Sequence, residues 1–192
     1  MQSAKDAVGR GSKALILAGG RGRRLDQHTR EQNKCMLPLL GRPLIEYSLD
    51  NAVRAGVDSI VVVVGYRAED IINHFGTEHG GIRIRYVIQE ERRGLVHAME
   101  CAREAIDGAD FLLFLADEVL ARPCHVEMLA RFQSEELFVV CGVVRVQDRS
   151  LVRKTYTLLG DESTGRIYRL IEKPRVPIND IMGTGNCIMR SM

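Results

Sequence analysis

The sequence predicts an α/β fold: a doubly wound, mainly parallel central sheet, followed by a small C-terminal β-hairpin. Three observations lead there. Short runs rich in Val, Ile and Leu alternate with amphipathic segments along most of the chain. The runs are apolar at successive positions, as strands covered on both faces are. From Thr155 to Pro174 the alternation stops, and two strand-like runs flank a Gly-Asp-Glu-Ser-Thr-Gly turn.

The elements follow in order. Residues 13–18 (KALILA) read as a buried strand. Residues 42–56 carry Leu44, Ile45, Leu49 and Val53 at helical spacing and end on Gly56. A second buried strand covers 58–65, a short helix 68–75 and an alternating strand 82–89. The segment 94–106 reads as a helix whose apolar face holds Leu95, Ala98, Met99, Ala102 and Ile106. Residues 110–117 form another strand, 124–133 a helix and 137–146 a strand. Parallel strands joined by helices require right-handed crossovers, which give the doubly wound sheet.

Composition bounds the function. The 192 residues are 45% hydrophobic and 27% charged, ordinary for a globular chain. A net charge of +2 is too small to bring in nucleic acid or a membrane surface by bulk electrostatics. No apolar run approaches the ~20 residues that span a bilayer, and the N-terminus has no apolar core of signal-peptide length. Five cysteines, an odd number without a C-x-x-C pair, read as free thiols in a reducing compartment, so the expected location is cytoplasmic.

The charge is unevenly distributed. From Lys5 to Lys34 there are eight Lys or Arg against three acids, and they gather around Gly19, Gly20 and Gly22 directly after the first strand. Glycines there let backbone N–H groups cradle phosphate oxygens, and arginines add charge-assisted donors. The position is apt, because ligands of open α/β sheets bind outside the carboxyl ends of the strands. No Gly-Lys-Ser/Thr occurs, so the loop is not a P-loop. Leu25 stands where a dinucleotide-binding turn needs its third glycine, and the second strand ends Val64-Gly65-Tyr66 without an acid. The five histidines show no H-x-x-x-H spacing, and G-x-S-x-G is absent, which leaves hydrolytic chemistry without support. His97, in the 94–106 helix, reads as an ordinary helix residue.

Residues 17–39, LAGGRGRRLDQHTREQNKCMLPL, resemble the signature of the sugar-1-phosphate nucleotidyltransferases, roughly L-A-G-G-x-G-[ST]-R-L-x-P followed by [PS]-K-x-x-L-P. Gly19, Gly20, Gly22, Arg24, Leu25, Thr29, Lys34, Leu37 and Pro38 fall in place without a gap; Arg23 and Gln27 replace the usual Ser/Thr and Pro. Three later segments continue the resemblance in order. Residues 89–102 are similar to the Q-x-x-x-x-G-L-A-x-A stretch, 111–118 to the strand ending L-G-D with Ala116 for Gly, and 170–174 to the E-K-P segment. Residues 183–189 resemble a following T-G-x-Y strand, with Asn186 and Cys187 in place of apolar and aromatic residues.

The resemblance implies a Rossmann-like nucleotidyltransferase fold and a role for each segment. Leu17, Ala18, Gly19, Gly20 and Gly22 would hold the nucleotide, with Arg24 and Lys34 as the catalytic cations on its triphosphate. Gln89 and Gly94 would read a pyrimidine base. Asp117 would ligate Mg²⁺, a hard ion that sits on one or two carboxylates plus substrate phosphates. Glu172 and Lys173 would take a hydroxyl and the phosphate of the acceptor sugar. The implied reaction is nucleotidyl transfer from dTTP or UTP to a sugar 1-phosphate, giving an NDP-sugar and pyrophosphate.

The implied partners are a nucleoside triphosphate and a sugar 1-phosphate, without nucleic acid or membrane, and with homo-oligomer assembly left open. Two other readings stand beside this one: a cytidylyl- or guanylyltransferase acting on a non-sugar or cyclitol phosphate, and a non-catalytic nucleotide or sugar-phosphate sensor. The chain stops inside what reads as a strand, without the second metal-binding aspartate that the family carries further on. The expectation is therefore a single nucleotidyltransferase domain over 1–192 that lacks its C-terminal part.

Overall fold

The computed structural model of the protein describes residues 11–20, 32–91 and 93–191. The described residues up to Val140, with those from Ile188 on, form one compact unit, and Cys141–Cys187 form a second.

The first unit opens with β1 (Ser12–Ala18), the predicted buried strand. A 3-10 turn at Lys34–Met36 leads into a small hairpin, β2 (Pro38–Leu39) and β3 (Arg42–Pro43), then α1 (Leu44–Ala55), β4 (Ser59–Val64), α2 (Ala68–Phe75), β5 (Glu78–His79) and β6 (Ile82–Ile88). Helices α3 (Leu95–Cys101) and α4 (Arg103–Ile106), strand β7 (Asp110–Leu115) and α5 (His125–Ser134) follow, and β8 (Val139–Arg145) leads into the second unit. There a 3-10 turn at Arg149–Lys154 precedes β9 (Tyr156–Asp161), β10 (Arg166–Glu172) and β11 (Ile181–Met189).

Seven strands form one sheet in the order β5-β6-β4-β1-β7-β11-β8. Strands β4 and β7 flank β1, and both pair with it in parallel, as β6 does with β4. The short β5 is antiparallel to β6. The Ser191 N–H donates to the Asp110 carboxylate (3.1 Å), which puts the end of β11 beside the start of β7. The Arg190 N–H donates to the Phe138 carbonyl (3.0 Å), so β11 also runs against β8. The sheet is therefore mostly parallel, as its apolar strands predict.

Alternate residues of each strand serve opposite layers. Ala14, Ile16 and Ala18 of β1, Ile60, Val62 and Val64 of β4, and Leu112 and Phe114 of β7 join Ile45, Leu49 and Ala52 of α1 and Leu129 and Phe132 of α5 in one core. Leu15, Val61, Val63 and Leu113 are buried on the other face, where α3 lies over β1 and β4. At ~25 cal/mol per Å², this double burial is what holds the parallel sheet together.

Two helix expectations need correction. The helix expected at 42–56 starts at Leu44, because Arg42 and Pro43 pair with Pro38 and Leu39 across a turn that holds Leu40 at φ 52° and Gly41 at φ 80°. Its end at Gly56 is as expected, with the glycine left-handed at φ 75°. The helix expected at 94–106 is two helices, because the ladder slips at Ala102, whose N–H bonds the Met99 carbonyl (3.1 Å). Leu95 does not join its apolar face but is 46% exposed; Ala98, Ala102, Ala105 and Ile106 form the buried side.

The second unit contains the expected hairpin, β9 antiparallel to β10. Asp161 shapes its turn by accepting from the Ser163 N–H (2.8 Å) and from the Ser163 and Thr164 hydroxyls, and Gly165 takes φ 70°. Asn179 ties the hairpin to β11, donating to the Leu158 carbonyl (2.9 Å) and accepting from the Thr157 hydroxyl and the Ile181 N–H. Among the described residues no helix is long and apolar enough to cross a membrane.

Candidate active site

The chain runs outward from β1 to β4 and β6, then returns to the other side of β1 at β7. That reversal opens a crevice at the carboxyl ends of the strands. Four of those ends carry the candidate residues: Gly19 and Gly20 follow β1, Gly65 follows β4, Gln89 follows β6, and Asp117 lies two residues past β7. Leu17 and Ala18 are the last strand residues, paired with Val63 and Val64, and the Leu17 carbonyl also accepts from the Ala116 N–H (3.1 Å).

Gly19, Gly65 and Gln89 are pressed together. A Cβ on Gly65 would lie 3.0 Å from the Gly19 carbonyl oxygen and 3.2 Å from that of Gln89; one on Gly19 would lie 2.8 Å from the Gln89 Oε1. Only glycine lets the ends of β1 and β4 approach this closely. Gln89 is 5% exposed, with its N–H on the Val64 carbonyl (2.7 Å), its amide nitrogen 3.3 Å from the Gly94 carbonyl and 3.0 Å from His97 Nδ1. Gly94 precedes α3 at φ 101°, a conformation that favours glycine, and a Cβ there would face open space.

Lys34 Nζ forms an ion pair with the Asp117 carboxylate, across 83 residues of sequence. The turn carrying Lys34 is held by Asn33, a fully buried residue. Asn33 donates its amide to the Tyr66 carbonyl (2.6 Å), accepts from the Cys35 N–H (2.9 Å) and gives its own N–H to Asp70 Oδ2 (2.9 Å). The Arg67 guanidinium and then the Asn33 N–H hold the Asp70 carboxyl below its usual range. Next in the turn, burial pushes the Cys35 thiol up to about 12, with the nearby Asp117 charge adding to the rise.

Gly19, Gln89, Gly94, Lys34 and Asp117 thus meet at one end of the sheet. Gly20 adjoins them, exposed, and a Cβ on it would meet nothing within 4 Å. Glu172 ends β10 in the second unit and Lys173 follows it, both exposed and paired with each other at 3.0 Å, with Lys173 at φ 43° and its N–H on the Thr155 carbonyl (2.7 Å). Gly22 and Arg24 lie outside the described residues. Sequence reasoning missed Asn33, Gly65 and His97. A glycine closing a run of four valines is a signal for the second; Asn directly before the lysine is one for the first.

A divalent metal can be tested against these side chains. Among the described residues no three His, Cys, Asp or Glu converge on one point, so a cage supplied wholly by protein is absent there. Mg²⁺ needs less, because it keeps waters and takes phosphate oxygens beside one or two carboxylates. A half-exposed carboxylate at a strand end, already facing a cation, fits that demand.

Backbone N–H groups and a lysine–carboxylate pair outside the strand ends are the equipment of a phosphate-handling α/β protein. The class narrows to a family: residues 13–191 match the nucleotidyl transferase family, and the chain belongs to it. It is 32% identical over 173 residues to the UTP–glucose-1-phosphate uridylyltransferase AglF of Haloferax volcanii, covering 90% of this chain and 70% of that protein. A UTP–glucose-1-phosphate uridylyltransferase of Staphylococcus haemolyticus is 30% identical over 190 residues, covering 85% and 65%. A solved UDP-glucose pyrophosphorylase complexed with UDP-glucose superposes with a TM-score of 0.82 at 24% identity, covering 94% of this chain and 76% of that one. That likeness shows the fold. The chain spans between 45% and 70% of the length of the first curated relatives it matches.

Proposed function

We propose that the protein transfers a nucleotidyl group from UTP or dTTP to a sugar 1-phosphate, releasing pyrophosphate and forming an NDP-sugar. The observation that carries this is the Lys34–Asp117 pair beside the end of β1, where the Ala116 N–H bonds the Leu17 carbonyl. The relatives' names, uridylyl- and thymidylyltransferases of glucose 1-phosphate, support the same reaction class.

In the reaction, an oxygen of the acceptor phosphate forms a bond to the α-phosphorus in line with the bridging oxygen to the β-phosphorus. That second bond breaks, and its electron pair leaves with pyrophosphate. The attacking oxygen is already anionic, so no general base is needed, and catalysis depends on positioning and cationic stabilisation. The Gly19 and Gly20 backbone would cradle the triphosphate, with Gly22 and Arg24 extending that cradle. Lys34 would place its ammonium on the reacting phosphates. Gln89 and Gly94 would take the base, and Glu172 and Lys173 the acceptor sugar and its phosphate.

Asp117 would hold Mg²⁺, which neutralises phosphate charge when bound. We read the two compact units as parts of one nucleotidyltransferase domain, since the family match runs through both.

The experiment is a matrix of five nucleoside triphosphates against sugar and polyol phosphates, scored by pyrophosphate release with and without Mg²⁺. Release with UTP or dTTP and a sugar 1-phosphate is expected, with Asp117→Asn raising the Mg²⁺ needed at least about tenfold. Nucleotide binding without pyrophosphate release across the matrix would make the protein a sensor instead.

A further inference from the structure

The Gln89 carboxamide has two hydrogens and two neighbours for them. Its nitrogen lies 3.3 Å from the Gly94 carbonyl and 3.0 Å from His97 Nδ1. A carbonyl only accepts, so the amide end facing Gly94 is the NH₂ group. His97 Nδ1 must then accept as well, which puts the ring proton on Nε2. The exposed Arg93 has its Nη2 3.1 Å from that nitrogen; with hydrogens on both atoms this contact is not a hydrogen bond, while the Arg93 Nε separately pairs with Glu91 (3.2 Å). The Cys101 sulfur, 3.9 Å from Nε2, packs against the ring.

With both amide hydrogens committed, the polar atom left to Gln89 is Oε1. It faces Gly19, where even a Cβ would come within 2.8 Å, so it stands at the end of β1 rather than inside the helix layer. An oxygen there can only accept. Uracil and thymine present an N–H at ring position 3; cytosine presents an acceptor at the same place.

We propose that His97 is a positioning residue for base selection: by holding the Gln89 amide hydrogens it fixes Oε1 as the atom offered to the base, so the site takes uracil or thymine and rejects cytosine. This rests on the reading of Gln89 as the base-reading side chain. Without His97, the amide keeps a single 3.3 Å bond to Gly94 and can rotate to offer its NH₂. Discrimination between the two bases then falls.

The test uses the full chain, with UTP and CTP affinities measured by calorimetry and pyrophosphate release followed in parallel. The wild type is expected to bind UTP more tightly than CTP, and His97→Ala to lower that ratio by about tenfold or more, the effect of one misplaced buried hydrogen-bonding group. His97→Asn, whose Oδ1 can stand in for Nδ1 as an acceptor, should keep the ratio within about threefold of wild type, a rescue that a merely space-filling role would not give. If His97→Ala does not fold, His97→Phe retains bulk without the acceptor and reads the same quantity.

An unchanged ratio in a folded Ala or Phe variant overturns the proposal, as does a wild type that binds CTP as well as UTP. Selective, His97-dependent UTP binding without pyrophosphate release would refute the transferase reading while leaving this inference standing.

Discussion

Replacing Lys34 by Ala removes the ammonium that faces Asp117 and leaves the core intact. The side chains of the pair are 28% and 35% exposed, and ion pairs of that kind contribute ~0.2–1 kcal/mol to stability. The turn itself depends on backbone bonds, Met36 N–H to the Asn33 carbonyl and Leu37 N–H to that of Lys34, which Ala keeps. For a domain of this length ~1 kcal/mol corresponds to a fall of about 2–4 °C in Tm. A cation placed where charge develops in the transition state is worth much more, with losses of ~10²–10³ in turnover on removal. The two magnitudes differ by about 3 kcal/mol, enough to separate a structural from a catalytic role.

The assay is pyrophosphate release with UTP and a sugar 1-phosphate, alongside thermal unfolding of the same preparation. A folded variant with turnover within about threefold of wild type would refute the assignment. A Tm fall beyond about 10 °C would place Lys34 in the fold rather than the site.

Three further outcomes are expected. Gly19→Ala should push the Gln89 amide off Gly94 and His97, because its Cβ would lie 2.8 Å from Oε1; loss of the one hydrogen bond that Oε1 would give the base, at ~1 kcal/mol, implies about a fivefold loss of UTP affinity by calorimetry, and unchanged affinity would show that the amide can move freely. The Asp70 carboxyl, held low by Arg67 and the Asn33 N–H, contributes stability that is present above the unfolded value of about 3.9 and lost as pH falls through the lower folded value. Asp70→Asn should therefore flatten the loss of urea stability between about pH 5 and pH 2, and an unaltered slope would remove Asp70 from the acid response. Iodoacetamide should modify Cys141, whose thiol the Cys187 contact lowers, at a lower pH than an ordinary thiol, and should spare Cys35, pushed up to about 12 by burial, until the chain unfolds; peptide mapping that finds Cys35 modified in the folded chain would contradict its burial.

The legible parts of the fold were those where one run of side chains meets one environment. β1, β4 and β7 are apolar at successive positions because both faces are covered, so contiguous Val, Ile and Leu sufficed to place them. The break at Ala102 and the exposure of Leu95 were not legible, because Leu95 has the same composition as a buried helix residue and only the packing of α3 decides which side faces the sheet. The Leu40-Gly41 turn needed two consecutive left-handed residues, and only one of them is a glycine.

The candidate site divides in the same way. Lys34 and Asp117 are separated by 83 residues, yet each could be named from its own neighbourhood, since a parallel sheet brings the carboxyl ends of its strands to one edge whatever lies between them. Asn33, Gly65 and His97 differ in kind. Asn33 joins the lysine turn to the loop after β4, Gly65 makes room for the carbonyls of Gly19 and Gln89, and His97 closes on an amide from another strand. Their roles lie in contacts between segments, so the local cues at Asn33 and Gly65 mark the positions without giving the partners, and His97 has no cue at all. A motif selects the groups that face a ligand, whereas the groups that hold those in place are fixed by register. In this protein the register of β1 with β4 and of β4 with β6 determines which glycine meets which glutamine, and shifting either by one residue would take Gln89 away from Gly19 with every motif residue still present.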